Sequence, residues 1–421
     1  MGNLRNWAGN VAFSTEVLHR PASIPELQEI VSRSRQVRAL GSGHSFNRIA
    51  DTAGALISVA DLPRDITIDT ASATAEVPAG ASYTQVSQAL EARGWALPNL
   101  ASLPHISVAG ACCTGTHGSG AQLAGLASHA VGVEFVRADG ELVRVDRSDP
   151  AFPGSVLTLG ALGIMTRLRL AVVPSFTIKQ TVWVDLPLAS AAEHFDAIMT
   201  AAYSVSMFRD WTRPGLINAL WLKSLPDDAD ADEGAGAWGA RPATMALHPI
   251  PGQDPAPATP QLGSVGPWHL RLPHFSPEFT PSVGDEQQSE YFVRREHGPA
   301  ALRALAGLDL ARSLYVCEIR TVAADALWLS PCRDRPTAAI HFTWINDDEA
   351  VAAGVAAVET ALGDLDIRPH WAKVFRMPPE RLRAHYPDLP GFRALAERHD
   401  PDRKFGNPFL ARYVYASGGT A

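Results

Sequence analysis

The chain has few cysteines, and their spacing argues against cross-links. Among its 421 residues only Cys112, Cys113, Cys317 and Cys332 are cysteine, and no C-x-x-C pair occurs. Neighbours such as Cys112 and Cys113 do not easily form a disulfide with each other. The pattern therefore disfavours a disulfide scaffold and a zinc site, and we expect no metal centre.

Long apolar runs and an excess of positive charge are also missing. No run approaches the roughly 20 residues needed to cross a bilayer, and the opening MGNLRNWAGNVAF lacks the basic start and apolar block of a secretory signal. The formal net charge of −8 disfavours nucleic acid, because proteins that bind it usually show a basic face. We expect a cytoplasmic, monomeric protein with neither a nucleic-acid nor a membrane partner.

What the chain does contain predicts an α+β protein of more than one domain. Hydrophobic residues make up 46% and charged residues 19%, the balance of a globular protein with a substantial core. Residues 1–176 alternate short strands and helices. From FTIKQTVWVDLPL onward, alternating Thr, Val and Trp strands predict a sheet of antiparallel strands in residues 177–376. Residues 377–421 return to helix and turn, and we expect them to pack back on the first part.

Two helices of the first part carry clear boundary signals. Ser23 and Glu26 form a candidate capping box before a helix, and Ser82 and Gln85 form a second one. Gly94 would end the second helix in a left-handed conformation. The stretch VEFVRADGELVRVD predicts a β-hairpin around its Asp-Gly turn. Local chemistry thus specifies several elements of this part.

The segment between Pro226 and Pro267 is rich in Pro, Ala, Gly and Asp. The acidic cluster at its start could bind a cation, but a solvated insertion loop is the favoured interpretation. No function is assigned to it.

A glycine-rich turn, GSGHSFN, follows the short strand QVRAL. It is not the dinucleotide fingerprint G-x-G-x-x-G, because Phe46 stands where the third glycine belongs, and it is not a P-loop, because no Gly-Lys-Ser/Thr follows. Gly41, Ser42 and Gly43 can instead bring backbone N–H groups close to an anion. Taken alone, such a turn is more often plain structure than a ligand site.

Two further stretches of small residues strengthen the case for a ligand. SLPHISVAGACCTGTHGSG has no Asp, Glu, Lys or Arg, and a helix beginning near Ser107 would direct its positive N-terminal end at a phosphate. LGALGIMT is again glycine-spaced and apolar, which suits it to lying along a flat ring. Three such segments favour a long cofactor with a diphosphate over a single phosphate.

These motifs resemble those of the flavoproteins of the vanillyl-alcohol oxidase type, whose FAD-binding domain is of the PCMH class. Within that group they are similar to those of the alditol (xylitol) oxidases. The likeness runs nearly end to end, through NWAGN, CEIRTVAADALWLSP, HFTW, RPHWAKVF and KFGNPFL. It implies a two-domain PCMH-type fold, with an FAD-binding domain at 1–176 and a substrate-binding (cap) domain at 177–376 built on a large antiparallel sheet flanked by helices.

The resemblance also implies FAD, held covalently through its 8α-methyl group by the histidine of the G-S-G-H-S motif. The matching residue here is His44. The cofactor-binding residues implied by the family motifs are His44, Gly41, Ser42, Gly43, Ser45, Phe46, Ser102, Ser107, Gly110, Thr114, Gly115, Thr116, His117, Gly163 and Ile164.

The activity implied is oxidation of the terminal (C1) primary hydroxyl of alditols such as xylitol or sorbitol to the aldose. A hydride would pass to FAD, and O2 would reoxidise the flavin to give H2O2. Ala101 would lie near the reactive edge of the flavin, where a small side chain could admit or hinder oxygen. Oxidase and dehydrogenase behaviour therefore both remain open.

By the same resemblance, residues of the second domain bind and polarise the substrate. Lys373, Arg320 and Glu318 are the implied catalytic residues, with Lys373 favoured as the proton partner of the reacting hydroxyl. The full substrate-binding set is Ser102, Glu318, Arg320, His341, Thr343 and Lys373. These second-domain residues fall in apolar, strand-like runs, where period-two spacing puts Glu318 with Arg320, and His341 with Thr343, on one face.

Each of these residues also has a structural explanation. Glu318 and Arg320 could form an ordinary ion pair, His341 and Thr343 could face outward from a half-buried strand, and Lys373 could reach solvent. Three other functions compete: an aldonolactone (gulono- or galactono-lactone) oxidase or dehydrogenase, an NADPH-dependent flavin reductase of cell-wall precursor synthesis, and a non-catalytic flavin- or carbohydrate-binding protein. The stretches TVAADALWLSP and HFTW favour the alditol oxidases.

Overall fold

The protein is represented by a computed structural model, which describes residues 4–228, 231–279 and 285–415, with the backbone alone for 231–233. In chain order its strands are β1 (Leu18–His19), β2 (Val37–Ala39), β3 (Ala55–Ile57), β4 (Thr67–Asp69), β5 (Thr74–Pro78), β6 (Trp95–Ala96), β7 (Ala130–Val136), β8 (Leu142–Asp146), β9 (Ile164–Ala171), β10 (Val173–Pro174), β11 (Thr177–Pro187), β12 (Ser204–Arg209), β13 (Leu216–Ser224), β14 (Arg241–Pro242), β15 (Gly266–Pro267), β16 (Glu286–Arg294), β17 (Leu314–Val322), β18 (Thr337–Ile345) and β19 (Arg368–Pro369).

The helices of the described residues are α1 (Ile24–Arg33), α2 (Tyr83–Glu91), α3 (Val108–Thr114), α4 (Phe152–Ser155), α5 (Leu188–Glu193), α6 (Phe195–Met199), α7 (Ala231–Ala237), α8 (Gly298–Ala306), α9 (Asp348–Ala361), α10 (Pro379–Ala384), α11 (Leu389–His399) and α12 (Pro408–Tyr413). Short 3-10 turns occupy Arg48–Ala50, Leu126–His129, Trp268–Leu270 and Arg295–His297.

The strands form two main sheets and two small ones. Early strands make a parallel sheet in the order β1-β3-β2 and an antiparallel sheet in the order β4-β5-β9-β7-β8, and β6 pairs with β10. The later strands make a nine-stranded antiparallel sheet in the order β14-β11-β13-β12-β17-β18-β16-β19, with β15 beside β11. This mixture confirms the predicted α+β fold with a large antiparallel sheet.

One hydrophobic core connects the two main sheets with the C-terminal helices. Leu168 of β9, Leu220 of β13 and Phe392 of α11 all belong to it and are fully buried. Among the described residues no helix is both long and apolar enough to span a membrane. All four cysteines are free thiols.

The local boundary signals of the first part were largely correct. Ser82 and Gln85 form the complete capping box of α2, and Gly94 beyond it has φ +75°. Ser23 caps α1 by accepting from the backbone of Glu26, but the Glu26 carboxylate accepts from the backbone N–H of Ala22 at 2.8 Å and so does not complete a box. The predicted hairpin is confirmed, since β7 and β8 pair antiparallel.

The interpretation of residues 226–267 as a solvated loop was partly wrong. The segment contains α7, whose Ala235 is fully buried, and Thr259 is buried with its N–H bonded to the carbonyl of His274 at 2.9 Å. An irregular, proline-rich backbone can pack in this way because neighbouring chain satisfies its polar groups. In the acidic cluster at its start, Asp227 and Asp228 are described, Asp232 and Glu233 are described by their backbone alone, and Asp230 lies outside the described residues.

The C-terminal segment contacts the first part of the chain. Phe405 lies in a small core with Leu27 and Val31 of α1. The amide of Asn407 donates to the carbonyls of Ile49 and Asp51 at 3.0 and 2.9 Å. These bonds support the loop that follows the GSGHSFN turn.

Candidate active site

A cavity of about 950 Å³ lies between the small-residue loops of the first part and one face of the nine-stranded sheet. Its walls include the turn 41–47, the stretch 101–117, and residues of strands β16, β17 and β18. Residues of the proline-rich segment, among them His248 and Ile250, close another side. That segment therefore shapes the site, although its sequence gave no reason to expect this.

Nearly all the predicted site residues share this cavity. Those that line it are Gly41, Ser42, Gly43, His44, Ser45, Phe46, Ser102, Ser107, Gly110, Thr114, Thr116, His117, Gly163, Ile164, Glu318, Arg320, His341, Thr343 and Lys373. Gly115 is not among them. It ends α3 in the left-handed conformation, with φ +81°, and so has a structural role.

The glycine turn and the start of α3 form a cradle around Ser107. The Ser107 hydroxyl oxygen is buried and has no hydrogen-bond partner among the described residues. A Cβ at Gly41 or Gly110 would lie 2.6 or 2.7 Å from that oxygen, so only glycine leaves the space open. A buried hydroxyl without a partner is costly, and a polar group bound in the cradle would satisfy it. The cradle fits the predicted diphosphate.

His44 lines the cavity, with one ring face stacked and one nitrogen in contact with another side chain. Its ring stacks on Trp7 at a centroid distance of 4.5 Å, and its Nε2 lies 2.6 Å from Nε2 of His105. Burial lowers the pKa of His44 to about 3, with a further lowering from His105, and burial also lowers the pKa of His105. Both rings are therefore neutral at neutral pH, and one donates the single shared proton to the other.

Lys373 does not lie in a strand, which corrects the sequence prediction. It follows β19 in a turn in which its N–H bonds to the carbonyl of His370 at 3.1 Å. The side chain of Asn47 donates to the carbonyls of Trp371 and Lys373, both at 2.8 Å. The turn that carries His44 thus holds the loop that carries Lys373, and no local pattern could reveal this long-range contact.

Strand register brings the polar residues of the sheet into one row. Glu290 of β16 is directly opposite His341 of β18, and His341 is directly opposite Glu318 of β17. Directly opposed residues point to the same face of a sheet. The row forms the floor of the cavity.

Glu290 lies at one end of this row and pairs with its cations, and it was missed by the sequence analysis. It is fully buried and accepts from Arg320 Nη2 at 2.7 Å, from Lys373 Nζ at 2.8 Å and from His117 Nε2 at 3.1 Å. Burial alone would raise the pKa of Glu290, but Lys373, His117 and Arg320 together hold it well below its usual range. Alternation in EQQSE, which puts Glu286, Gln288 and Glu290 on one face, was the available signal.

Lys373 and His341 form a second polar link. Nζ of Lys373 lies 2.5 Å from Nδ1 of His341, and Nε2 of His341 lies 3.1 Å from the hydroxyl of Thr343. Burial lowers the pKa of His341 to about 4, and the Lys373 charge lowers it further, so this imidazole is neutral. Burial also lowers the pKa of Lys373, against the opposing effect of Glu290.

Glu318 is supported from behind by His274, which the sequence analysis also missed. His274 Nε2 lies 2.6 Å from Glu318 Oε1, while the guanidinium Nε of Arg320 lies 3.5 Å from the same oxygen. Burial would raise the pKa of Glu318, but Arg320 and His274 lower it far below its usual value. The ion pair of Glu318 and Arg320 is thus buried and lines the cavity, so it is not an ordinary surface ion pair.

The first part of the chain contacts the polar side chains of the sheet through Ser102. Its hydroxyl lies 3.4 Å from Nη1 of Arg320. In the described part of the chain, no group of three or more His, Cys, Asp or Glu side chains is arranged to hold a metal ion. The floor therefore offers cationic donors and anionic acceptors, which suit a ligand with several hydroxyl groups.

Comparison with known protein families supports a flavin site. A family model described as an FAD binding domain matches residues 15–146, and a model described as D-arabinono-1,4-lactone oxidase matches residues 285–413. An alditol oxidase from Streptomyces sp. is 47% identical over 413 residues, covering 96% of this chain and 97% of the relative. An L-gulono-1,4-lactone dehydrogenase from Mycobacterium tuberculosis is 27% identical, covering 97% of this chain and 98% of its own.

Solved structures show the same fold at low identity. A solvent-stable cholesterol oxidase aligns with a TM-score of 0.77 at 15% identity, covering 97% of both chains. The cholesterol oxidase of B. sterolicum aligns with a TM-score of 0.77 at 13% identity, covering 97% of this chain and 96% of its own. These likenesses establish the architecture around the cavity.

Proposed function

This chain belongs to the alditol oxidase family and is an FAD-dependent oxidoreductase, and on that premise we propose that it oxidises the terminal primary hydroxyl of alditols such as xylitol or sorbitol. C1 of the substrate loses a hydride and its hydroxyl loses a proton, which gives the aldose. O2 is the proposed final acceptor, and H2O2 the second product. We assign FAD binding to residues 1–176, substrate binding to 177–376, and support of the FAD domain to 377–421.

One observation carries this proposal: the cradle for a diphosphate and the row of hydroxyl-binding side chains line the same cavity. An alditol offers only hydroxyl groups, each able to donate and to accept. Arg320 and Lys373 can donate to its oxygens, and Glu318 can accept from its hydrogens. A polyol chain would therefore meet a partner for each role.

We further propose that His44 carries the flavin through the 8α-methyl group. His44 lines the same cavity as the cradle and Lys373, and stacking on Trp7 together with its contact to His105 limits ring rotation. A neutral imidazole has one nitrogen with a free lone pair, which is what bond formation to carbon requires. The low pKa of His44, caused mainly by burial, keeps the ring in that neutral form.

Bound FAD supplies the two-electron acceptor of the reaction. The chain's own residues would bind and orient: Ser107 with its glycine neighbours on the diphosphate, and Lys373 and Arg320 on the reacting hydroxyl. The Arg320 cation, and the Lys373 ammonium once it has taken the proton, favour alkoxide character of that oxygen. Fixed donors also align C1 for transfer.

Lys373 is the proposed partner for the hydroxyl proton. Burial lowers its pKa, which makes the neutral amine accessible. That amine would take the proton of the hydroxyl and become the ammonium that pairs with Glu290. His341 Nδ1 at 2.5 Å and Glu290 Oε2 at 2.8 Å hold that nitrogen in place. Glu318 and Thr343 would bind the remaining hydroxyls of the chain.

A peroxide-coupled screen of xylitol, sorbitol, mannitol and glycerol tests the proposal. A separate sample of the protein is first precipitated with acid, and a yellow pellet reports covalent flavin. Activity is then measured on the native protein. We expect peroxide from at least one alditol. Flavin reduction by an alditol under anaerobic conditions without later peroxide formation would retain the polyol substrate but refute O2 as acceptor.

Ala101 is placed where its side chain could affect whether O2 is the acceptor. It is buried and lines the cavity next to Ser102. A methyl group at this position leaves more space for O2 than any larger side chain would. We therefore expect substitution by valine to slow reoxidation by O2 while flavin reduction stays unchanged.

A second function is favoured by one specific comparison, the lactone oxidase model that matches residues 285–413. L-gulono- and L-galactono-1,4-lactone belong in the same screen for that reason. Turnover of a lactone without turnover of any alditol would replace the proposed function with this one.

A further inference from the structure

Lys223 of β13 is a buried cation whose partners include no carboxylate. Its side chain is 1% exposed, and among the described residues its ammonium group contacts the carbonyls of Leu272 and Pro273 at 2.5 and 2.9 Å and His274 Nδ1 at 3.3 Å. Burying a lysine costs free energy even when its hydrogen bonds are made. Neither the proposed reaction nor the fold core accounts for a charge at this position.

The ammonium group determines which nitrogen of His274 carries hydrogen. An ammonium donates only, so Nδ1 of His274 accepts. Burial lowers the pKa of His274 to about 4, which makes the ring neutral and leaves its one hydrogen on Nε2. That hydrogen is then donated to Glu318 Oε1 across 2.6 Å. Lys223 thus donates to His274, and His274 donates to Glu318, so the two hydrogen bonds point in the same direction.

The ring of His274 has little freedom to move away from Lys223 and Glu318. Its ring makes edge contacts with Phe208 and Trp221 at centroid distances of 5.5 and 5.3 Å. Its backbone N–H bonds to the carbonyl of Ser102 at 3.2 Å, which ties it to the cofactor side of the cavity. The link from Lys223 to Glu318 is therefore rigid.

We propose that Lys223 is a positioning residue that acts through His274 to hold Glu318 as a hydrogen-bond acceptor for substrate hydroxyls. With Oε1 occupied by the Nε2–H of His274, Oε2 is left for a hydroxyl group of the substrate. This role rests on the proposed function, because it assumes a ligand that binds Glu318 through hydroxyl hydrogens.

Loss of the Lys223 proton would change the hydrogen bonds that link Lys223, His274 and Glu318. A neutral amine can still donate to both carbonyls, but its lone pair then faces the lone pair of Nδ1. Moving the hydrogen of His274 from Nε2 to Nδ1 relieves this repulsion and gives up the bond from Nε2–H to Glu318. Nε2 then turns a lone pair toward the Glu318 carboxylate, which weakens the acceptor. Burial lowers the pKa of Lys223 to about 7, with Glu318 raising it and Arg320 lowering it. His274, Glu318 and Arg320 are the titratable groups that face it.

The experiment compares KM for xylitol at about pH 6 and about pH 9 in the wild type, in Lys223→Met and in Lys404→Met. Lys404 is the matched control, because its ammonium also binds carbonyls, those of Val31, Ser32 and Ala138, and does not line the cavity. We expect the wild-type KM to rise about tenfold with pH, the scale of one hydrogen bond to a charged group. Lys223→Met should show the high KM at both pH values, with kcat changed far less, and Lys404→Met should behave as wild type.

Equal KM values and equal pH dependence in Lys223→Met and wild type would overturn the proposal. A second measurement needs no variant of Lys223: nitrogen NMR of histidine-labelled wild-type holoprotein, with His274→Gln used to assign the signal. We expect hydrogen on Nε2 at about pH 6 and its transfer to Nδ1 above about pH 7. Hydrogen on Nδ1 at about pH 6 would overturn the proposal even if Lys223→Met does not fold.

The same NMR experiment distinguishes a failure of the role proposed for Lys223 from a failure of the proposed alditol oxidation. A wild-type protein that oxidises no alditol refutes the proposed function through the peroxide screen. The tautomer of His274 and its switch with pH still decide whether Lys223 controls Glu318, since they are read without substrate.

Discussion

Glu290 and Lys373, which are 83 residues apart in the chain, form an ion pair with a distance of 2.8 Å between Oε2 and Nζ. Glu290 is fully buried, whereas the side chain of Lys373 keeps 13% exposure toward the cavity. The carboxylate therefore anchors the ammonium from behind and leaves its other side toward the ligand. Both cations that are proposed to act on the substrate depend on this one carboxylate, because Arg320 pairs with its other oxygen at 2.7 Å.

Replacing Lys373 by methionine should abolish most alditol oxidation. The variant removes the proposed proton partner but leaves Glu290 paired with Arg320 and His117. We expect flavin reduction by xylitol, followed anaerobically by stopped-flow absorbance, to slow by about 100-fold or more. Lys179→Met is the matched control, since Lys179 does not line the cavity. Unchanged reduction in Lys373→Met would remove the lysine from the mechanism.

Replacing Glu290 by glutamine should lower stability in a pH-dependent way. The pKa of Glu290 is depressed in the folded state, so its ionisation stabilises the fold above the unfolded pKa, roughly 4.3, and this stabilisation is lost as the pH falls through the folded value. We expect Glu290→Gln to lower the free energy of unfolding by about 3 kcal/mol at neutral pH. The difference from wild type should shrink at acid pH.

Urea unfolding at about pH 7 and about pH 3.5 measures this difference. Glu380→Gln is a suitable control, because the Glu380 side chain is 77% exposed and its ion pair with Arg383 is at the surface. A loss in Glu290→Gln that is equal at both pH values would show that the charge of Glu290 does not contribute to stability.

Replacing His44 by alanine should remove the covalent flavin. In-gel fluorescence of the denatured protein should be lost, while protein refolded or purified with FAD still binds it through the cradle. His19→Ala is the control, since His19 of β1 does not line the cavity. Fluorescence that survives in His44→Ala would place the attachment on another residue.

His105 gives a graded version of the same test. Its Nε2 contacts the Nε2 of His44 at 2.6 Å and limits rotation of that ring. We expect His105→Asn to slow attachment without abolishing it, which a time course of in-gel fluorescence after addition of FAD to apoprotein would show. A time course identical to wild type would mean that the contact does not orient His44.

Replacing Gly41 by alanine should lower the FAD content of the purified protein. The added Cβ would lie 2.6 Å from the Ser107 hydroxyl and force it out of the cradle. Gly307→Ala is the control, because a Cβ there meets no atom within 4 Å. The ratio of flavin to protein absorbance measures the outcome, and an unchanged ratio would contradict a phosphate-binding role for the cradle.

The sequence by itself determined the elements whose signals are local. The capping box of α2 and the hairpin of β7 and β8 follow from side chains within a few residues of each other. Period-two spacing likewise put Glu318 with Arg320 on one face of a strand before their surroundings were known. The small-residue stretches indicated a cofactor because glycine and serine serve close backbone approach wherever they lie.

Only the tertiary structure decided which charges meet. Glu290, His274 and Lys223 carry no local signal that separates them from other polar residues in strands and loops, and their roles arise from strand register and from contacts between distant segments. The same holds for the loop of Lys373, which is held by the turn of His44. Local spacing fixes the direction of a side chain, whereas its partner is fixed by how the strands pair and the loops pack.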